Sequence, residues 1–327
     1  MEVLPSSFGR SIEYLRVSVT TRCNLKCVYC RPSDLSYEER RDQFLDFDEM
    51  LRVIRVLAGV GLKKVRVTGG EPLVRKGVVE FIGEVARVEG IRDLAMSTNG
   101  MLLAKHAEAL ASNGLKRVNV SLDTLDPQMF RLITGGGNVE SVLEGIRAAE
   151  AAGLVPIKLN AVVTRGFNDD QVEELAALTL EESWNVRFIE YMPIGGDREL
   201  YEKRFVPADE VLDRLERKFG PIEKLEWGGT AAAREYRIAG AKGTIGLITP
   251  MTEHFCAGCN RLRLTADGKI RPCLLTEIET DILRPLRQGA SDEELRALLG
   301  VASQFKPEHH EALGQWRGAR NMVQIGG

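Results

Sequence analysis

The chain has 327 residues, with 44 Lys and Arg against 47 Asp and Glu and a formal net charge of −3, so no global basic excess marks nucleic acid or an anionic membrane as a partner. Its 44% hydrophobic content supports a full core, in one large α/β barrel or two ordinary domains. The opening MEVLPSSFGR lacks the apolar run of a signal peptide and no stretch is long enough to span a bilayer, so the expected setting is cytoplasmic.

In chain order, LRVSVT (15–20), KKVRVT (63–68), LAMST (94–98), KRVNVSLD (116–123), IKLNAVV (157–163) and VRFIEYM (186–192) predict strands. The amphipathic stretches 48–60, 77–88, 104–113, 138–152 and 170–179 predict helices between them. Asp48 and Asp169 are the expected N-caps, and Gly61, Gly114 and Gly153 the expected C-caps. Strand–helix pairs in series call for a parallel sheet with right-handed crossovers. A parallel strand covered on both sides should be apolar on both, yet these alternate. Leu15, Val17 and Val19 oppose Arg16, Ser18 and Thr20, and Val65 and Val67 oppose Lys64, Arg66 and Thr68. Val118, Val120 and Leu122 oppose Asn119, Ser121 and Asp123, and Ile157, Leu159 and Ala161 oppose Lys158 and Asn160. An open sheet with one wet face would satisfy this pattern. A wide partial barrel whose lumen holds a polar ligand satisfies it with a helix after every strand.

After about residue 200 the pattern changes. A helix over 208–218 leads into β-like REYRI, GTIGLIT and NRLRLTADGKIRPC, whose DGK marks a hairpin. This part reads as antiparallel, followed by helices near 279–288 and 291–304. TGGGN (134–138) lacks the strand-to-helix context of a dinucleotide fingerprint and there is no Walker A sequence, so a nucleotide would be bound some other way.

All six cysteines fall in two groups, Cys23, Cys27 and Cys30 (C-x3-C-x2-C) and Cys256, Cys259 and Cys273 (C-x2-C-x13-C). Such grouping is improbable for buried small hydrophobes, and six are too few for a disulfide scaffold in a chain of this size. Structural zinc on the two C-x2-C knuckles would leave Cys23 and Cys273 spare, and closed zinc sites take four ligands. A [4Fe–4S] cluster held by three thiolates keeps one iron open for a small molecule. A second pattern is cationic: Arg16, Lys64, Arg66, Lys158, Arg187, Arg261 and Arg263 all lie on predicted strands. A chain of net negative charge that lines one cavity with cations expects an anion there, and a triphosphate suits bidentate arginine.

C-x3-C-x2-C after a first strand, with Tyr29 before the last cysteine, resembles the radical S-adenosylmethionine (SAM) superfamily. Around it FGR (8–10), LRVSVTTRCN, VRVTGGEPLVR, STNG, VNVSLDTLD, RFIEYMP, C-x2-C-N-R-L-R-L and the terminal IGG closely resemble the GTP 3′,8-cyclase family of molybdenum cofactor biosynthesis, from about Phe8 to Gly327. Thr21 stands where the family commonly has Asp, and Arg31 where Met is usual. Neither departure removes a ligand.

The resemblance implies an α/β fold, an incomplete TIM-like (βα)6 radical SAM barrel over 1–200. A C-terminal α+β extension over 201–327 would close the barrel and bring a second cluster over its mouth. It implies [4Fe–4S] clusters on Cys23, Cys27 and Cys30 and on Cys256, Cys259 and Cys273. SAM contacts are implied for Tyr29, Gly70, Thr98, Ser121, Asn160 and Met192. GTP contacts are implied for Arg16, Lys64, Arg66, Lys158, Arg187, Arg261 and Arg263, and a catalytic part for Gly326 and Gly327. The implied reaction is removal of the ribose 3′ hydrogen of GTP by a 5′-deoxyadenosyl radical, then attack on guanine C8 to give 3′,8-cyclo-7,8-dihydro-GTP. GTP is then the substrate and SAM the cosubstrate, with an external one-electron donor and cyclic pyranopterin monophosphate synthase as the downstream enzyme. The oligomeric state stays open, a homodimer included, and neither nucleic acid nor a membrane is expected. The alternatives are a peptide-modifying radical SAM enzyme with an auxiliary cluster and, from another class, a zinc-stabilised binding protein.

Overall fold

A computed structural model describes residues 4–30, 41–195, 198–226, 230–309 and 320–326. Strands and helices alternate first: β1 (Tyr14–Ser18), α1 (Phe47–Ala58), β2 (Lys64–Thr68), α2 (Val78–Ala86), β3 (Asp93–Thr98), α3 (Leu103–Ser112) and β4 (Arg117–Ser121). Then come α4 (Pro127–Thr134), α5 (Val139–Ala151), β5 (Lys158–Val163), α6 (Val172–Glu181), β6 (Asn185–Glu190), α7 (Arg198–Arg204) and α8 (Ala208–Phe219). The remainder holds β7 (Ile222–Lys224), β8 (Ala233–Ile238), β9 (Thr244–Ile248), β10 (Arg261–Leu264), β11 (Lys269–Arg271) and β12 (Thr280–Asp281). It closes with α9 (Leu283–Arg287), α10 (Asp292–Gln304) and α11 (Met322–Ile325). No described helix is long and apolar enough to cross a membrane.

The six strands expected from the alternation are all present and pair in sequence, parallel throughout. Their apolar positions, among them Leu15, Val17, Val65, Val67, Val118, Val120, Leu159 and Ala161, are buried in the main core with Met50, Ile54, Phe81, Ile82, Val142 and Ile146 of the surrounding helices. Each such Val, Leu, Ile, Met or Phe side chain contributes about 1.5–3 kcal/mol relative to exposure. The other face of the sheet lines a polar lumen.

The strands after residue 200 do not form a sheet of their own. β9 joins β6 in parallel and β10 joins β1 in parallel, while β8 and β7, and β11 and β12, continue outward antiparallel. One twelve-stranded sheet results, ordered β12-β11-β10-β1-β2-β3-β4-β5-β6-β9-β8-β7. Its end strands β12 and β7 are not hydrogen-bonded to each other, so the barrel is incomplete and the extension lengthens both edges. The expectation of an antiparallel C-terminal part therefore holds only for the outer pairs. Leu262 and Leu264 of β10 and Ile245 and Leu247 of β9 are buried in the same core as the six inner strands.

Local signals differ in detail. The N-cap of α1 is Asp46, not Asp48: its carboxylate accepts from the Glu49 N–H at 2.8 Å while Glu49 accepts from the Asp46 N–H at 2.9 Å, a capping box. Asp169 is not the cap of α6, which Gln171 precedes, and its carboxylate accepts instead from the Gly166 N–H at 2.6 Å. Gly114 and Gly153 each lie one residue past the helix C-cap with φ of 90° and 79°, the left-handed position glycine fills there. Helix α4 has no counterpart in the sequence expectation. Asp126 caps it, accepting from the Met129 N–H at 2.6 Å, with Pro127 in its first turn.

Candidate active site

The first cysteine group lies on the loop that leaves the C-terminal end of β1, held from two sides. On one side the turn of TGGEP is laced to it: the Gly70 N–H donates to Thr20 O at 2.7 Å and the Glu71 N–H to Arg22 O at 2.8 Å. Gly70 has no room for a side chain, since a Cβ would lie 2.7 Å from the Arg22 carbonyl carbon and 2.8 Å from Thr21 O. On the other side the end of α4 pairs with the loop, the Lys26 N–H donating to Thr134 O at 2.8 Å and the Val28 N–H to Ile133 O at 3.0 Å. TGGGN thus closes the helix that cradles the cysteines, a part that its sequence did not disclose.

Cys23, Cys27 and Cys30 are half-buried and form no disulfide. Burial pushes the Cys27 thiol well up, and Cys30, Asp123 and Cys23 add to it, so the three sulfurs sense one another. The Leu25 N–H donates to Cys23 Sγ at 3.4 Å and Asn99 Nδ2 approaches the same sulfur at 3.7 Å. Asn99, in STNG, is a residue that the sequence reading left unassigned. Its own N–H donates to Glu71 Oε2 at 2.7 Å, and Glu71 also accepts from the Leu73 N–H at 3.0 Å and the Thr98 hydroxyl at 2.9 Å. Burial raises the Glu71 carboxyl to about 7 against these three hydrogen bonds.

The residues expected around SAM gather at this end of the strands. The Tyr29 hydroxyl donates to Asp123 Oδ2 at 2.6 Å, and the Val162 N–H donates to Asp123 Oδ1 at 2.9 Å. Burial raises Asp123 to about 6 while these two bonds lower it. Ser121 and Asn160 stand side by side in register on β4 and β5, and Asn160 Oδ1 is buried without a hydrogen-bond partner among the described residues. Thr98 is turned into the Glu71 network rather than into the lumen. Met192 follows β6 at the same end.

Below them lies the cationic wall. Arg263, Arg16 and Arg66 occupy one register row on the adjacent strands β10, β1 and β2, and Arg261 and Lys64 occupy the row beneath, flanking Tyr14. Burial and the neighbouring arginines Arg66 and Arg261 lower the Arg16 guanidinium to about 10, with Tyr14 opposing. Arg263, also buried, is driven well below its usual value by burial, Arg16 and Arg261. Burial pushes the Tyr14 phenol up, yet Arg66, Arg16, Arg261 and Arg263 together draw it below its usual value. On the far wall burial, then Arg187, Arg117 and Arg66, lower Lys158 to about 8. Arg187 is partly neutralised, with Nη2 3.0 Å from Glu235. Arg117, absent from the sequence expectation, shares this lumen and pairs with Asp93.

Gly326 lies in the lumen above the arginine row. Its carbonyl accepts from Arg263 Nη1 at 2.8 Å, and a Cβ on it would lie 2.9 Å from Thr68 Cγ2 and 3.0 Å from Ser18 Cβ. Gly327 and Arg31 lie outside the described residues.

The second cysteine group does not sit over the same mouth as the first. Because β10 runs parallel to β1, Cys256 and Cys259 precede its start at the N-terminal end of the sheet, and β11 runs back so that Cys273 arrives there too. The two groups are therefore at opposite ends of the strands, with the arginine rows between. Burial pushes the Cys259 thiol up, but Arg261 and Lys306 outweigh it and bring it down to about 6. Arg10 donates to Cys256 O at 2.8 Å.

Among the described residues no three His, Cys, Asp or Glu side chains are grouped to hold a single metal ion. A four-iron cube makes a different demand, since each thiolate binds its own iron. The donor sets fit it: three mutually sensing thiols with an N–H on Cys23 at one end, and at the other a thiol lowered by adjacent cations. The lumen fits a polar anion that also carries N–H or O–H groups: among the described residues Arg66 Nε and Arg261 Nη2 are buried donors without hydrogen-bond partners, and Asn119 Oδ1, Asn160 Oδ1 and Ser97 Oγ are buried groups able to accept.

A family model described as Radical SAM superfamily matches residues 17–179, and one described as Molybdenum Cofactor Synthesis C matches residues 184–312. A curated GTP 3′,8-cyclase of Pelotomaculum thermopropionicum is 48% identical over 325 residues, covering 99% of this chain and 100% of the relative. One from Moorella thermoacetica is 47% identical over 326 residues with the same coverage. Among solved structures, Streptococcus suis SuiB aligns with a TM-score of 0.61 at 17% identity, over 89% of this chain and 68% of that one. Native anSMEcpe with bound AdoMet aligns at 0.58 and 17% identity, over 86% of this chain and 79% of that one. At such identity these two share the fold.

Proposed function

The chain belongs to the GTP 3′,8-cyclase family within the radical SAM superfamily, and we propose on that premise how its own residues serve the conversion of GTP to 3′,8-cyclo-7,8-dihydro-GTP. That conversion is its activity, the first step of molybdenum cofactor biosynthesis. The observation that carries the assignment of roles is the row Arg263–Arg16–Arg66, placed between two three-cysteine groups at opposite ends of one lumen.

Cys23, Cys27 and Cys30 would hold one [4Fe–4S] cluster, and Cys256, Cys259 and Cys273 the other. When bound, the first cluster supplies the electron that cleaves SAM and so opens the way to hydrogen abstraction at the ribose 3′ carbon. Tyr29, clamped by Asp123, and the rigid Gly70 turn fix the cysteine loop against the SAM site. Ser121 and Asn160 offer polar atoms to the nucleoside part of SAM, and Met192 and the turn carrying Thr98 border it. Arg16, Lys64 and Arg66 hold the triphosphate, while Lys158, Arg187, Arg261 and Arg263 hold the remainder of GTP, with Arg117 as a further cation of the wall. Charge-assisted bonds of this kind contribute about 1.5–3 kcal/mol each. Gly326, fixed by Arg263, holds the tail in the lumen, and with Gly327 it takes the catalytic part that the family implies. Orientation of the reacting carbon and exclusion of water are the protein's share of the catalysis.

An external one-electron donor, delivery to cyclic pyranopterin monophosphate synthase and a cytoplasmic setting complete the reading, the last because thiols stay reduced there. The deciding experiment incubates the reduced protein with SAM and GTP and identifies the products. The expected outcome is 5′-deoxyadenosine together with the cyclised nucleotide. Cleavage of SAM with GTP recovered unchanged, or a protein that carries zinc in place of iron, overturns the reading.

A further inference from the structure

Lys306 is 3% exposed, and its position follows from no motif in the sequence. Its ammonium donates to Arg261 O at 2.8 Å, to Pro272 O at 2.9 Å and to the Cys259 sulfur. An ammonium has three hydrogens, and these contacts account for all of them. The partners lie two residues after Cys259, immediately before Cys273, and on Cys259 itself, so one side chain joins both arms of the second cysteine group. The lysine is held in turn by Arg10. Arg10 Nη2 donates to Pro307 O at 2.7 Å while Nη1 donates to Cys256 O at 2.8 Å, which ties the backbone beside Lys306 to the third ligand.

Two neutral carbonyls, and one sulfur that Arg261 shares, are poor compensation for a buried cation, which costs several kcal/mol unless countercharge is near. Neither carbonyl supplies countercharge. Three thiolates on an iron–sulfur cluster would supply it. We propose that Lys306 is the positioning residue of the second cysteine group, gathering Cys259 and the approach to Cys273 into a ligating arrangement and placing a fixed positive charge beside that cluster. The proposal rests on the reading of this group as a cluster site. A cation there favours the reduced, more negative form, so it raises the reduction potential.

The test uses the full chain with Cys23, Cys27 and Cys30 replaced by Ala, purified without oxygen, so that only the second site is read. This parent is expected to hold about four irons. Lys306→Met is expected to lose at least half of that iron. In the remainder the reduction equilibrium shifts about tenfold towards the oxidised form, roughly 59 mV for one electron. Lys306→Gln, which keeps two donors without the charge, is expected to recover the iron but not the potential. It also carries the test should Lys306→Met fail to fold. Parental iron and parental potential in Lys306→Gln, or in a folded Lys306→Met, overturn the proposal and leave the cluster reading intact. A parent without iron removes both.

Discussion

Lys158 shows how the lumen acts on a single side chain. Burial comes first and the guanidiniums of Arg187, Arg117 and Arg66 follow, together lowering its ammonium to about 8. Below that pH the side chain is a cation ready to donate to GTP, and above it a neutral amine. GTP affinity is therefore expected to fall about fivefold as pH rises from 7 to 9, the neutral amine binding as weakly as an uncharged substitute. Lys158→Gln should bind about tenfold more weakly at pH 7 and show no such slope. Calorimetric titration at several pH values reads both, and an affinity in the native protein that is flat across this range contradicts the assignment. Most of the cations were legible because they sit at alternate positions of strands whose other face is apolar, as Arg16 and Arg66 do. Arg117 lies two residues before Asn119 and so on the same polar face, which the alternation could have singled out over Lys116; its pairing with Asp93 is what local sequence hid. Lys306 and Asn99 act through partners far away in the chain, which periodicity does not reveal.

At the scale of elements, the turn after β2 governs the first cysteine loop. Its two N–H groups hold Thr20 and Arg22, and Gly70 meets the backbone of Thr21 and Arg22 with no space between. Backbone on backbone leaves no flexible side chain to give way. Gly70→Ala is expected to push the loop off its support and lower stability by about 1–3 kcal/mol. Iron should fall from about eight to about four per chain, because the second group lies at the other end of the sheet. Iron analysis alongside urea unfolding checks this, and full loading with unchanged stability would refute it. The Gly-Gly and Glu-Pro pairs of TGGEP (68–72) favour a turn on sequence alone. The partner of that turn is not legible there, since a Gly-Gly pair announces close approach without saying what approaches. Asp46 and Asp48 illustrate the same limit, both acidic and both near the start of α1, separated only by which one reaches the Glu49 N–H.

For the whole molecule, the extension is part of the barrel's own sheet. β10 covers β1 and β9 covers β6, so a fragment of residues 1–200 would leave both as bare edges with unpaired backbone groups. That fragment is expected to lack cooperative unfolding and to aggregate, which circular dichroism and light scattering would show; a soluble fragment with a sharp transition would contradict it. The pairing was hidden because the strand signals in GTIGLIT and NRLRLT are local, whereas β1 and β6 lie far earlier in the chain.

The triphosphate part of the wall, Arg16 and Arg66 of the register row with Lys64 beneath them, also limits what the lumen can distinguish. Guanidiniums recognise phosphate oxygens, and ATP, CTP and UTP carry the same triphosphate as GTP. These three cations therefore confer grip without choice, and the abundant adenine nucleotide of a cell would compete for them. Selection of guanine must be made at the base, where a wrong ring leaves buried polar groups unpaired.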